Sequence, residues 1–344
     1  MKVGLVYHPV YLEHDTGQHP ENAGRLEQTM ELLEQSGVKQ QLVEVPAEPA
    51  SMDDLLSVHS AGHISQIESL ARSGGGWLDA DTVVSPRSYE AALYAAGGVL
   101  KATEAVVSNE LDSAFALVRP PGHHATRTHA MGFCLFNNIA VAARQAILKH
   151  GLSRVLIADF DVHHGNGTEE IFYDDPRVFY FSVHQYPLYP GTGRIAETGM
   201  GDGQGTTANV PLPPGCGDEP YLEVFQQILV PLAHRFRPEL ILVSAGYDGH
   251  WADPISYIQV TISGFARMVS IIQQLASELC QERLVLTLEG GYHTSALAHS
   301  VKATFEVLLG KAGIDDPLGK PASASRVPDI DVVVQEVRKV HNLA

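Results

Sequence analysis

The stretch Val155-Leu-Ile-Ala-Asp-Phe-Asp-Val-His-His-Gly-Asn-Gly-Thr168 decides how the rest of the chain is read. Residues 155–158 form a short apolar run of the kind expected for a strand buried on both faces. The run stops in acid, imidazole and glycine, so polar chemistry is delivered where the strand ends. Asp161 and His163 are two residues apart, and in extended backbone such a pair points to one side. A carboxylate and an imidazole converging there make half of a divalent-metal site. An Asp–His hydrogen bond beside a turn is the plainer reading of the same two residues.

Outward from this stretch the pattern repeats. Apolar runs at 2–7, 41–45, 113–117, 178–183, 239–244 and 284–288 also read as strands. Helical patterns at 23–35, 89–107, 138–150, 221–236, 264–279 and 295–309 alternate with them, and Leu26, Met30 and Leu33 mark an apolar core stripe in the first. The alternation predicts an α/β fold, a central, mainly parallel sheet with helices on both faces. Long Gly- and Pro-rich loops cover 8–22, 74–87, 118–132, 184–209 and 247–257, and four of the five follow a predicted strand. In open α/β sheets ligands sit outside the carboxyl ends of the strands. With no repeat and no linker, 1–344 reads as one domain, its core at about 2–310, then a surface excursion at 316–328 and a closing helix at 330–340.

Composition narrows the chemistry. Forty acidic against 23 basic side chains leave a net charge of −17, which argues against nucleic acid as a partner and favours cationic substrates. Three distant cysteines exclude a disulfide framework and a thiolate zinc knuckle. No run suits a membrane helix or a secretory leader, so a cytoplasmic protein is expected. Seventeen histidines point any metal toward nitrogen and oxygen ligands.

Other predicted strand ends carry further candidates. Ser244-Ala-Gly-Tyr-Asp-Gly-His-Trp-Ala-Asp-Pro254 places Asp248 just past a strand, and Asp161, His163 and Asp248 would leave metal positions open for water and substrate. Arg119-Pro-Pro-Gly-His-His-Ala125 offers adjacent histidines suited to acid–base work. Gly132-Phe-Cys-Leu-Phe-Asn-Asn138 opens a helix, and Leu288-Glu-Gly-Gly-Tyr292 brings a phenol to a strand end.

Taken together, RPPGHHA, GFCLFNN, DFDVHHGNGT, YPGTG, SAGYDGHWADP and LEGGY resemble the histone deacetylase family, and Asn166 resembles its class II and bacterial deacetylase-like branch. The resemblance runs from about Tyr7 to Leu309. It implies an arginase/deacetylase-like fold and zinc-dependent hydrolysis of N-acyl amines, with iron(II) an alternative metal. By this match Asp161, His163 and Asp248 hold the metal. His124 is the general base and later acid, partnered by Asn166, while His123 is held by Asp159 and Tyr292 donates to the substrate carbonyl. Gly132, Phe133, Tyr189 and Ile255 fall at channel positions. A structural potassium or sodium ion is implied at Asp159, Asp161, His163, Ser182 and Val183, and a second, weaker cation site at Phe172, Asp175 and Val178. The related arginases carry two manganese ions, but Gly165 and His250 stand where their extra aspartates belong, which argues for one catalytic metal.

Acyl-lysine and acetylpolyamine substrates both remain open at this level. Phe133 and Tyr189 suit an unbranched methylene stem. The acidic rim candidates Glu13, Asp15, Asp79 and Asp81 favour a polyamine, whereas Ile255 replaces the glutamate that polyamine-selective members carry. A non-catalytic acyl-amine binding protein is the reading from another class, and a homo-oligomer is left open.

Overall fold

The computed structural model describes residues 1–322 and 327–343. Part of the expected excursion at 316–328, together with Ala344, lies outside the described residues. Among the described residues there are ten strands: β1 Val3–Val6, β2 Val43–Val45, β3 Gly76–Trp77, β4 Val83–Val84, β5 Ser113–Ala116, β6 Val155–Asp159, β7 Val178–Gln185, β8 Thr207–Leu212, β9 Leu240–Ala245 and β10 Leu284–Leu288. Eight form one sheet in the order β2-β1-β5-β10-β9-β6-β7-β8, and every neighbouring pair is parallel.

The sheet is wholly parallel rather than mainly so: each strand returns through a long crossover, helical in every case except β7 to β8, where the chain crosses as a loop with one short turn at Gly201–Gly203. All eight carboxyl ends therefore open on one side. The apolar runs in β1, β5, β6, β7, β9 and β10 are buried along their whole length, as a sheet covered on both faces requires. One group of helices, Gly24–Gln35, Ile262–Leu279 and Thr294–Leu308, packs together, and Ser88–Val107 packs with Asn138–Leu148. The closing helix runs Asp331–Val340, buries Val334 and Val337, and lies against edge strand β8.

Several expectations need correcting. The stretch 184–209 is not all loop, since β7 continues to Gln185 and β8 begins at Thr207. The stretch 74–87 holds the β3–β4 hairpin. Helices Met52–Leu56, Ala61–Arg72 and Asn166–Phe172 were not anticipated. Two of them start on a serine whose side chain accepts the N3 amide, a cap that can begin a helix with little apolar periodicity. The helical run expected at 221–236 starts at Asp218 and contains a π turn at Phe225–Leu229. Among the described residues no helix is long and apolar enough to cross a membrane.

Candidate active site

Five of the parallel strands, β5, β6, β7, β9 and β10, send their following loops to one cavity of about 190 Å³. It is lined by His123, His124, Gly132, Phe133, His163, Tyr189, Ile255, Gly290 and Tyr292, together with Asp81, Pro121 and Cys134. Every substrate-channel and acid–base candidate named above except Asp159 and Asn166 faces this space, and those two lie directly behind it.

Asp161, His163 and Asp248 are buried and offer ligand atoms within 4.8 Å of one another. Asp161 and His163 are not on extended backbone, as their spacing suggested. β6 ends at Asp159, and the chain bends so that Asp161 Oδ1 accepts from His163 N at 2.9 Å. An aspartate turn of this kind is a local alternative to the strand ladder, and it turns both side chains toward Asp248. His163 Nδ1 lies 3.0 Å from Asp161 and 3.1 Å from Asp248.

A divalent metal fits this donor set. Asp248 Oδ2 is buried with His163 Nδ1 at 3.1 Å, but that ring nitrogen is hydrogen-bonded to Asp161 instead, so the oxygen accepts no hydrogen bond, a costly state for a carboxylate oxygen unless a cation completes it. Space for the cradle comes from glycine. A Cβ at Gly246 would sit 2.0 Å from Asp161 Oδ2, and one at Gly290 would sit 2.1 Å from Asp248 Oδ2. A Cβ at Gly165 would meet Asp159 Oδ2 at 2.3 Å. His250 is fully buried, its Nδ1 accepting from Ala252 N. Neither residue joins the Asp161–His163–Asp248 group.

The tandem histidines differ in their partners. His124 Nδ1 is 2.8 Å from Asn166 Oδ1, so Nδ1 carries the proton and Nε2 keeps its lone pair. Burial, then the neighbouring imidazoles His123 and His163, hold His124 well below the usual histidine range. His123 Nδ1 instead meets the Asp159 carboxylate at 3.0 Å, and Tyr180 donates to the same oxygen. Burial opposes its charged form, but the Asp159 and Asp161 carboxylates outweigh burial and lift His123 to about 10. The site thus holds one neutral imidazole beside one cationic one.

The GFCLFNN stretch is a tight turn followed by a cap. Met131 and Cys134 exchange backbone hydrogen bonds around Gly132 and Phe133, whose φ values are 55° and 69°. Two positive values in succession mark the mirror-image hairpin turn. The turn pushes the Phe133 ring into the cavity, edge-on to Tyr292 with centroids 5.7 Å apart. Asn137 caps the next helix through Ala140 N and donates to Ala125 O, which anchors the histidine loop. Tyr189 stands edge-on to His124 at 5.2 Å. Burial raises the Tyr292 phenol well above its ordinary range, although Arg25 opposes the shift, so it stays protonated as a donor.

The monovalent-cation residues are neighbours, since Asp159 and Ser182 pair across β6 and β7. At the second expected cation position the Asp175 carboxylate is already engaged by Arg144 and Arg177. Of the rim candidates, Asp81 lines the cavity and Glu13 is paired with Arg87.

Residue-level reading missed a buried charged frame behind the site. Glu21 is gripped by Arg25 at 3.0 Å and by Arg119 at 2.5 and 2.9 Å. Glu289 accepts from Gly122 N and His123 N, and from Ser244 Oγ. Burial, only partly offset by His123, lifts its carboxyl to about 7. Arg119 and Glu289 stood inside quoted motifs, but nothing local distinguishes a buried charge from a solvated one. The Glu21–Arg25 spacing of four was the one available signal.

Comparison with known proteins agrees with this geometry. The family model described as "Histone deacetylase domain" matches residues 19–308. A "Probable deacetylase" of Archaeoglobus fulgidus is 44% identical over 319 residues, 92% of this chain and 88% of that protein. The "Histone deacetylase-like amidohydrolase" of Pseudomonas aeruginosa is 39% identical over 317 residues, covering 92% and 82% of the two chains. A solved structure, "Crystal Structure of HDA15 HD domain", superposes with a TM-score of 0.87 at 34% identity, covering 99% of this chain and 96% of that one. With its parallel sheet and its strand-end site, this chain belongs to the histone deacetylase family.

Proposed function

We propose that the protein is a zinc-dependent deacetylase that hydrolyses the amide of N-acyl amines, with acetyl-lysine side chains as the first substrate class. The observation that carries this reading is the buried Asp161–His163–Asp248 cradle, which shares one narrow cavity with His124 and Tyr292. A divalent ion held by those three residues would polarise the acyl carbonyl and make water a better nucleophile near neutral pH.

The chain's own side chains supply the rest. His124, neutral and oriented by Asn166, takes the proton from water at Nε2 as the oxygen attacks the carbonyl carbon. It returns that proton to the amine nitrogen as the C–N bond breaks, so a carboxylic acid and an amine leave. His123, kept cationic by Asp159, offsets the negative charge that develops. Tyr292 donates its phenolic hydrogen to the carbonyl oxygen as it gains charge, a contact worth about 2.7–4 kcal/mol for a comparable donor. Phe133 and Tyr189 border the methylene stem. The buried frame of Glu21, Arg25, Arg119 and Glu289 holds the histidine and tyrosine loops in register. A potassium or sodium ion at Asp159, Asp161, His163, Ser182 and Val183 belongs to the same proposal.

Acetylpolyamine hydrolysis is the second reading, favoured by the half-buried Asp81 at the cavity. Ile255, which lines the same cavity, supplies no carboxylate and favours acyl-lysine. The test compares rates of the zinc-loaded protein on an acetyl-lysine peptide and on acetylputrescine. Faster peptide turnover that collapses in Tyr292→Phe is expected. A clear polyamine preference would reverse the order of substrates, and turnover of neither would defeat the proposal.

A further inference from the structure

The turn carrying Tyr292 is gripped from two sides. On its carbonyl side Arg25 donates to Gly291 O at 2.7 Å and to Glu289 O at 2.5 Å, and its guanidinium lies 5.0 Å from the Tyr292 ring centroid. On its amide side one carboxylate takes the two donors that flank the phenol. Asp253 Oδ2 accepts from Tyr292 N at 2.7 Å and from His293 N at 3.0 Å, while Oδ1 accepts from Ile255 N at 3.2 Å. Asp253 is buried, and among the described residues no arginine, lysine or histidine forms an ion pair with it. Its carboxylate is held by three backbone amides.

Those amides belong to two different parts of the site. Ile255 lines the cavity on the loop that also carries Asp248, whereas Tyr292 and His293 immediately precede the helix Thr294–Leu308. Amides at a helix start have no partner within the helix, and a carboxylate is well suited to them. Asp253 uses that match to tie the metal-ligand loop to the phenol's own backbone. The phenol can donate to an acyl oxygen only from a narrow range of positions, because hydrogen bonds weaken steeply with misalignment. Among the described residues the Tyr292 side chain has no hydrogen-bond partner, so its direction is set by its backbone and by its ring neighbours Phe133 and Arg25.

We infer that Asp253 is a positioning residue for Tyr292, joining the channel wall at Ile255 to the turn that aims the phenol. This rests on the deacetylase reading above, in which Tyr292 donates to the acyl carbonyl. Asp253 itself touches no reacting atom; it acts through Tyr292.

The experiment is a double-mutant cycle on the zinc-loaded protein with Asp253→Ala, Tyr292→Phe and the pair. The kcat and KM are measured on an acetyl-lysine peptide and on its trifluoroacetyl counterpart, whose more electrophilic carbonyl depends less on the phenol. Asp253→Ala is expected to lower kcat on the acetyl peptide by about 10- to 100-fold, the usual cost of removing a supporting residue, with zinc content and KM nearly unchanged. In the Tyr292→Phe background the same change should alter kcat less than about threefold, because the two act as one unit. The defect should also shrink on the trifluoroacetyl peptide. Asp253→Asn, which keeps one acceptor oxygen, should retain more activity than Asp253→Ala, and it replaces the alanine in the cycle if that variant does not fold. Equal losses with and without Tyr292, or equal losses on both peptides, would overturn the inference. A wild-type protein that hydrolyses neither peptide would instead fell the deacetylase reading beneath it.

Discussion

Adding one methyl group, in Gly290→Ala, tests whether the three-residue cradle binds metal. A Cβ there would lie 2.1 Å from Asp248 Oδ2 and 2.6 Å from Asp161 Oδ2. A comfortable carbon–oxygen contact is about 3.3 Å, so the two oxygens would have to retreat by roughly 1.2 and 0.7 Å. The backbone at 290 cannot yield instead. Gly290 N donates to Asp161 Oδ2 at 2.8 Å, and its carbonyl accepts from Tyr247 N at 3.0 Å. Zinc–ligand distances hold to within about 0.2 Å, so both shifts exceed the tolerance several-fold. Losing an outer supporting group alone costs about 10- to 100-fold in affinity. Displacing two ligands should therefore cost at least about 100-fold in zinc affinity, about 2.7 kcal/mol. The measurement is competition with a chelating dye on metal-free protein, with thermal melting to show that the variant is folded. Gly249→Ala is the control, since its nearest contact is an ordinary 3.4 Å to Ile258. A folded Gly290→Ala that holds zinc within about threefold of wild type would refute the cradle.

Three other outcomes are expected. Asn166→Ala removes the oxygen that fixes the His124 tautomer, and should lower kcat by about 10- to 100-fold with zinc content unchanged; a smaller loss would show that Asn166 does not orient the base. His59 is locked neutral, with Nδ1 donating to Thr126 O and Nε2 accepting from Asn137 N, and burial, reinforced by His63, lowers it to about 3. Between pH about 6.5 and 3 the unfolded chain binds a proton that the folded one refuses, so its contribution is present above pH 6.5 and fades at about 1.4 kcal/mol per pH unit on acidification. Urea midpoints from pH 7 to 5 should fall less steeply in His59→Gln, and equal slopes would exclude His59 as their source. Glu21→Ala should cost about 3–5 kcal/mol in urea unfolding, because it leaves the Arg25 and Arg119 guanidinium groups buried without their shared carboxylate; a loss below 1 kcal/mol would mean that water reaches them.

What could be read from the sequence, and what could not, divides along physical lines. Strands buried on both faces are written as continuous apolar runs, and β1, β5, β6, β7, β9 and β10 were found from those runs. β8 was missed because Thr207–Leu212 mixes polar residues and proline with its apolar ones. Helix Ala61–Arg72 depends on its Ser60 cap and buries only one apolar stripe. The candidate reacting residues were legible because they lie within eight positions of a strand end. Their supports, Glu21, Arg25, Asp253 and Glu289, were not, because their partners lie at sequence separations of up to 266 residues and are often main-chain atoms. Main-chain partners leave no trace in residue identity.

The strand order has a consequence for how the protein is made. β10 is the last sheet strand in the chain, yet it lies between β5 and β9. Until Leu284–Leu288 has been synthesised, β2-β1-β5 and β9-β6-β7-β8 are two separate half-sheets, each with an open apolar edge of the kind that invites aggregation. Domains fold as units while the ribosome is still adding residues, but here the candidate metal cradle in the loops after β6 and β9 lacks its Gly290 wall until residue 290 has been translated. A nascent chain stalled before that point should need protection by chaperones, and the candidate metal cradle is complete only after it.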